Sequence, residues 1–205
     1  MSDHIEVTGR GTAAAAPDVV VVTARVQCEA PSVAVVLSLV AERANAVFAA
    51  AGAAGVGATD RQTVTIGIQQ RYDQQGQRIV GHIGYQTMRL LCRDRGGVGA
   101  VLTALAQAGG NDLSIEGVNL ELSETSALLV TARERAFADA AATAAQLAGL
   151  AGRGLGEVTK ITDASVDVGH PQTRMFAMAA EAAFMPVEGG SAEVSVSLRV
   201  RWNLV

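Results

Sequence analysis

Apolar and polar residues alternate over several stretches of the chain, which predicts strands with one buried and one solvent-exposed face. The clearest stretch is the last, 192–204, where every second residue from Val194 to Leu204 is apolar and the residues between are polar. A short first strand is predicted to break at Gly9 and Gly11. Further strands are predicted at 19–28, 64–68, 79–93, 118–122 and from 155 to about 162.

Three other stretches have apolar residues at helical spacing. The first begins after Pro31 and Ser32 and ends near Gly52. Its predicted buried stripe consists of Val33, Val36, Leu37, Val40, Ala44, Val47, Phe48 and Ala51. A short helix is predicted at 98–109 and the longest at 123–149. The longest helix carries a stripe of small residues, mainly alanine, which favours close packing on a sheet.

The order strand, helix, strand, strand occurs twice, over about 19–93 and 115–204, with the short helix between the two copies. Hairpins and one-sided strands favour an antiparallel sheet. We therefore predict one domain over 1–205 with an α+β fold, a mostly antiparallel sheet backed by helices. The stretch 163–190 is predicted to be an irregular, apolar loop.

The composition restricts the classes of function. The chain has 205 residues, of which 49% are hydrophobic and 18% charged, as in globular proteins. Only one Trp, two Tyr and four Phe are present, so alanine, valine and leucine must fill the core. The net charge of −4 argues against general binding to nucleic acid or anionic membranes.

The start of the chain lacks the basic and apolar regions of a signal peptide, and no uncharged stretch reaches the length expected of a membrane span. The expected location is the cytoplasm for the chain as given, or the periplasm or cell envelope if it has been trimmed.

Several short motifs occur in order along nearly the whole chain. They are Val7-Thr8-Gly9-Arg10-Gly11, Ala16-Pro17-Asp18-Val19, the stretch 115–123, the alanine-rich helix around Ala132-Arg133 and Ala138-Asp139-Ala140, Gly154-Leu155-Gly156-Glu157-Val158, and Pro186-Val187-Glu188-Gly189 before the last strand. In this order they resemble the SIMPL-domain family, long catalogued as a domain of unknown function.

The resemblance implies an α+β fold and a tendency to self-associate. Bacterial members are typically exported to the periplasm or envelope and linked with stress tolerance, and an animal relative is a signalling adaptor. No catalytic residues are established for the family, so the resemblance transfers none to this chain.

The residues themselves indicate no catalytic group, metal site or cofactor. The run after Gly9 mimics a dinucleotide fingerprint, but Pro17 and a strand follow where that motif needs a helix. His4, His82 and His170 lack the spacing of metal ligands. Glu134 and Asp139 are interpreted as a solvated helix face.

One turn is a candidate anion site. Gly96, Gly97 and Gly99 open the short helix, and free N–H groups at a helix N-terminus bind anions. A tight strand-to-helix turn explains these glycines equally well. Binding of a small ligand or anion, at this turn or in a cleft, is therefore the alternative function.

Two further sets of residues have more than one interpretation. Cys28 and Cys92 lie in apolar strand segments and are expected to be buried thiols, or a disulfide if the chain is exported.

Arginines on the strands could form an RNA-binding face, but these positions carry no aromatic residues for base stacking. A subunit interface with Glu121 and Glu193, or a solvated face, suits the arginines better. They are Arg25, Arg71, Arg89, Arg93, Arg199 and Arg201.

The predicted loop at 163–190 is too apolar to be exposed without a function. Its candidate interaction residues are Met175, Phe176, Met178, Phe184 and Met185. Flexible Met side chains suit a partner surface, and folding back on the chain's own sheet is the alternative. Together with the family resemblance and the lack of a catalytic grouping, this loop predicts a non-enzymatic homo-oligomer that acts as a scaffold or interaction protein with an unknown protein partner.

Overall fold

The computed structural model describes residues 3–168 and 190–205. The strands are β1 His4–Ala15, β2 Val19–Ala30, β3 Arg61–Tyr72, β4 Ile79–Cys92, β5 Leu113–Glu121, β6 Leu155–Val168 and β7 Ala192–Leu204. The α-helices are α1 Val33–Ala53, α2 Val98–Gly109 and α3 Ser126–Leu150. Neighbouring strands are antiparallel, which confirms the predicted α+β fold.

The described chain forms two compact units. Unit 1 comprises residues 3–17, 122–168 and 190–205, and unit 2 comprises residues 18–121. Unit 1 contains α3 and a sheet of order β1-β7-β6, whereas unit 2 contains α1, α2 and a sheet of order β3-β4-β2-β5. The element order β2-α1-β3-β4 and β5-α3-β6-β7 repeats as the sequence indicates, but β5 pairs with β2 and β1 with β7.

Unit 2 buries its core between the sheet and two helices. Ser32 caps α1, since its hydroxyl accepts a hydrogen bond from the Val35 N–H over 3.4 Å. The buried stripe of α1 is Val36, Val40, Ala44, Val47 and Ala51. This stripe packs with Val20, Val22, Val26, Met88 and Leu90 of the sheet and with Val98, Val101 and Leu105 of α2.

Two of the residues predicted for that stripe are exposed. Val33 and Leu37 each keep 43% of their surface accessible, and Phe48 is only partly buried. The prediction for Val33 and Leu37 was wrong because helical spacing defines a wide face, whereas a single narrow stripe of α1 meets the sheet.

Unit 1 depends on a close approach between β1 and α3. The buried residues of α3 are Ala132, Ala136, Ala140, Ala144 and Ala148. A Cβ atom added at Gly9 would collide with the backbone of Ala136 and Ala140, and one at Gly11 with the backbone of Ala132 and Ala136. The two glycines therefore let the helix lie almost directly on the strand.

The predicted break of the first strand at Gly9 and Gly11 was wrong. β1 continues to Ala15, paired with β7 over its whole length, and neither glycine has a positive φ. Here glycine is required for close packing, not for a turn.

The sixth strand is also longer than predicted. β6 extends to Val168, so residues 163–168 belong to a strand and are not irregular. Register shifts against β7 fall between Leu155 and Val158, between Val158 and Lys160, and between Asp163 and Ser165. Because each shift interrupts the period of two, the apolar and polar alternation is lost in the sequence.

Among the described helices, α1 is long and apolar enough to cross a membrane by length and composition. The prediction had no membrane span. The core helix of a globular protein can have the same length and composition. In the structure five side chains of α1 lie in the core of unit 2.

We expect Gly9→Ala to lower the free energy of unfolding by about 1–3 kcal/mol, because the new methyl group forces α3 away from β1. The matched control is Gly149→Ala in α3, where an added Cβ meets nothing within 4 Å. This control should be neutral or slightly stabilising. Urea unfolding followed by fluorescence of Trp202, which is buried in unit 1, measures both changes. Equal effects of the two substitutions would contradict the close-packing argument.

Candidate interaction surface

Unit 2 exposes an apolar strand at the edge of its sheet. On β3, Val64 and Ile66 are each 57% exposed and Ile68 is 38% exposed. Ile66 is paired with Gln86 and Ile68 with Gly84, so both isoleucines lie on the helix-bearing face of the sheet. This face would normally be buried, and here no described helix covers the edge strand.

The close packing of α1 on β4 explains why the helix does not cover β3. A Cβ atom at Gly84 of β4 would lie 3.0 Å from Val36 and 3.1 Å from Val40, so α1 sits directly over β4. Because α1 meets the sheet through valine and alanine, it lies close to β4 and covers little beyond it. The isoleucines on the next strand are therefore left accessible.

The first turns of α1 add more exposed apolar surface to unit 2. Val35 is 48% exposed and Leu39 39%, beside the exposed Val33 and Leu37 described above. No charged residue occurs between Pro31 and Ala41. Aliphatic side chains without intervening charge are typical of surfaces that become covered by a partner.

The opposite face of the same sheet is polar and contains an aromatic residue that the sequence reasoning missed. The Arg25 guanidinium lies 3.8 Å from the ring centroid of Tyr85. Tyr85 in turn lies over Gly67, where an added Cβ would collide with the ring. Both sides of the ring are thus occupied by the chain itself, so Tyr85 offers little surface for stacking a base.

The six strand arginines that the sequence suggested for one charged surface are all engaged in ion pairs. Each lies within 4 Å of a carboxylate of its own chain. The ion pairs are Arg25–Glu116 at 3.6 Å, Arg71–Glu29 at 3.3 Å, Arg89–Glu121 at 2.6 Å, Arg93–Asp60 at 2.7 Å, Arg199–Glu6 at 3.9 Å and Arg201–Glu6 at 2.7 Å. Glu121, predicted for a subunit interface, is therefore engaged within the chain.

Two of these pairs change the ionisation of the carboxylate. Asp60 accepts hydrogen bonds from Nε and a terminal nitrogen of Arg93, at 2.8 and 2.7 Å, and these bonds lower the pKa of Asp60. The hydrogen bond from Arg201 likewise lowers the pKa of Glu6. Both carboxylates are consequently stabilised in their charged form.

The candidate anion turn contains a carboxylate of the chain itself. The Asp94 Oδ1 atom accepts the Gly96 N–H over 3.0 Å, and a Cβ at Gly97 would lie 2.8 Å from the Asp94 Oδ2 atom. An external anion on Gly96, Gly97 and Gly99 would have to displace Asp94 or overcome its repulsion. Anion binding at this turn stays a prediction.

Residues considered for catalysis or metal binding lie apart. Within the described part of the chain, no group of three or more His, Cys, Asp and Glu side chains could hold a metal ion. The Nδ1 atom of His82 lies 3.3 Å from the Pro31 carbonyl oxygen. Asp139 accepts the Arg10 N–H at 2.8 Å and so connects α3 to β1.

The two cysteines are free and buried. Cys28 is opposite Gly84 and Cys92 is opposite Val20, so they are separated by eight residues along the paired strands. At about 3.3 Å per residue this is roughly 26 Å, which excludes a disulfide between them in this fold. Burial raises the pKa of both thiols.

The predicted interaction residues Met175, Phe176, Met178, Phe184 and Met185 lie outside the described residues, as does His170. Their role stays a prediction. The sequence reasoning missed the exposed part of β3, because alternation identifies the face of a strand but does not show whether a helix covers it.

We expect Asp60→Asn to reduce the acid sensitivity of the fold. Because the pKa of Asp60 is lowered below its ordinary value of 3.8, the stabilisation by Arg93 is present above that value. It is lost as the pH falls through the lowered pKa. Urea midpoints at about pH 6 and about pH 3 should therefore differ less in Asp60→Asn than in the wild type. An unchanged pH dependence would show that the Asp60–Arg93 pair does not contribute to the free energy of unfolding.

We also expect both thiols to react slowly with a disulfide reagent in the folded protein at mildly alkaline pH, because they are buried and their pKa values are raised. In urea, two thiols per chain should react rapidly. Fast labelling of either cysteine in the folded state would contradict their placement in the core of unit 2.

Comparison with known proteins gives a consistent family assignment. A sequence model of the SIMPL family, described as a protein of unknown function (DUF541), matches residues 5–202. The chain is 30% identical over 216 residues to the 26 kDa periplasmic immunogenic protein of Brucella melitensis biotype 1, a match covering 98% of this chain and 84% of the relative. The protein of the same name from Brucella abortus matches equally. The chain described here belongs to the SIMPL family.

Proposed function

We propose that this protein is a non-enzymatic, self-associating scaffold or interaction protein of the bacterial cell envelope. The observation that carries the proposal is the exposure of large apolar side chains in unit 2, on β3 and on the first turns of α1. Large aliphatic side chains on regular elements stay exposed at a cost in free energy, which covering by a partner removes.

The polar side chains support the same conclusion. In the described part of the chain, the strand arginines are neutralised by carboxylates in cis, and histidines and acids do not form a cluster. Catalytic sites usually gather ionisable groups with perturbed pKa values in a cleft. Here the perturbed carboxylates Asp60 and Glu6 lie in structural ion pairs.

The envelope location is proposed from the named relatives. Both Brucella proteins are called periplasmic and immunogenic. A role in stress tolerance is proposed only from the resemblance of the chain to bacterial members of the family. The cytoplasmic location expected for the chain as given has no support from these relatives.

We expect the purified protein to form a species larger than its 21.0 kDa monomer at micromolar concentration. The expected driving force is burial of the apolar surface of unit 2, so association should weaken on dilution. Multi-angle light scattering after size-exclusion chromatography, together with native mass spectrometry, gives the mass of each species.

A single monomeric species over the whole concentration range would contradict self-association. The ionic strength provides a control, because association through apolar contacts should persist in high salt, whereas association through ion pairs should weaken. Dissociation by salt alone would contradict the proposed apolar surface.

A further inference from the structure

The β3 edge differs from the other sheet edges of the described chain in its charge. The other edges carry charged residues inside the strand: Glu6 and Arg10 on β1, Glu116 on β5, and Glu157, Lys160, Asp163 and Asp167 on β6. On β3, Arg61 is the first residue and Arg71 the eleventh, and no charge or proline lies between them. Charge and proline normally protect an edge strand from pairing with another chain.

The middle of this edge has regular strand geometry. Register shifts against β4 occur between Thr63 and Thr65 and again between Arg71 and Tyr72. The segment from Thr65 to Gln70 between these shifts is continuously paired with β4 on one side. On its other side the strand ends the sheet, so its outer backbone N–H and C=O groups can pair with a further strand.

We propose that Thr65 to Gln69, within this segment, pairs antiparallel with the same residues of a second copy of the chain. This rests on the self-association proposed above and assigns it a surface. A two-fold axis perpendicular to the sheet at Gly67 places Ile66 of each copy opposite Ile68 of the other. Both isoleucines of both copies then lie on the helix-bearing face and cover one another.

The lack of charge in the middle of β3 favours a second copy of the same strand as the occupant. An uncharged strand pairs with another uncharged strand without burying an unpaired charge. Pairing of this segment with β5 or β6 of another copy would place at least one charged residue within the new ladder. The uncharged run of β1, 11–15, offers only glycine, threonine and alanine to cover the isoleucines. Among the described edges, only a second β3 combines an uncharged ladder with large apolar side chains.

The polar face of the sheet is compatible with this register. Gly67 has no side chain at the proposed axis, and Tyr85 already covers it from the neighbouring strand. At the axis itself, therefore, no side chain of β3 stands between the two copies on this face. The product would be a continuous sheet of two four-stranded halves with the helices of both copies on one side.

The test introduces charges of either sign at two exposed positions of the full chain. Ile66→Lys with Ile68→Lys places lysine opposite lysine across the axis, and Ile66→Glu with Ile68→Glu places glutamate opposite glutamate. We expect each double variant alone to raise the Kd of this contact at least about tenfold. An equimolar mixture should restore association as a one-to-one heteromer, seen by native mass spectrometry.

A combined variant tests the register. Ile66→Glu with Ile68→Lys in one chain places opposite charges across an axis at Gly67, so this variant should associate by itself. The matched control is Ile161→Lys with Val166→Lys on β6, whose side chains are 55% and 45% exposed, and it should associate like the wild type. Circular dichroism shows whether each variant is folded, and Ile66→Thr with Ile68→Thr replaces a lysine variant that is not.

The outcomes separate the two proposals. Loss of association in the β3 variants, with restoration in the mixture, supports the β3 contact. If the wild type associates and the folded β3 variants associate equally well, the β3 contact is overturned and self-association by another surface stands. If the wild type is monomeric, both proposals fall. Failure of the mixture to restore association would also overturn pairing between two β3 edges.

Discussion

Small side chains set the distance between helix and sheet in this protein. That distance determines which strands a helix covers and which edge strand stays exposed. With few aromatic residues, the chain fills its cores with valine and alanine. In unit 1 the buried stripe of α3 is entirely alanine and lies against the glycines of β1. A helix packed this closely covers few strands, so it shields the strands beneath it and leaves the edge strand accessible.

The exposed edge strands follow from this packing in both units. β3 and β6 are each the third element of a strand-helix-strand-strand repeat, and both expose isoleucine or valine. β6 compensates with charged residues along the strand, whereas β3 has none over its central nine residues. The same geometry thus leaves one edge protected and one available. The two edges differ in the charged residues of β6 and in its register shifts, which the middle of β3 lacks.

The sequence predicted the α+β class, the helices and most strands because these depend on local periodicity. It failed at β1 because a glycine needed for close packing resembles a glycine needed for a turn. It failed at β6 because register shifts interrupt the alternation. The surface properties were less predictable: Arg89 pairs with Glu121 only because β4 and β5 flank β2. The exposure of Ile66 depends on how many strands of the sheet α1 covers, and no local sequence pattern shows this.

The pairing of β1 with β7 joins the two ends of the described chain. His4 is opposite Asn203, and the Leu204 N–H donates to the Asp3 carbonyl oxygen over 3.0 Å. Unit 2, by contrast, is built from one continuous stretch, 18–121, of the described residues. A chain emerging from the ribosome can therefore complete the described part of unit 2 early, while β1 waits for a strand made more than 170 residues later. Until then the first strand has no partner strand and stays available to chaperones.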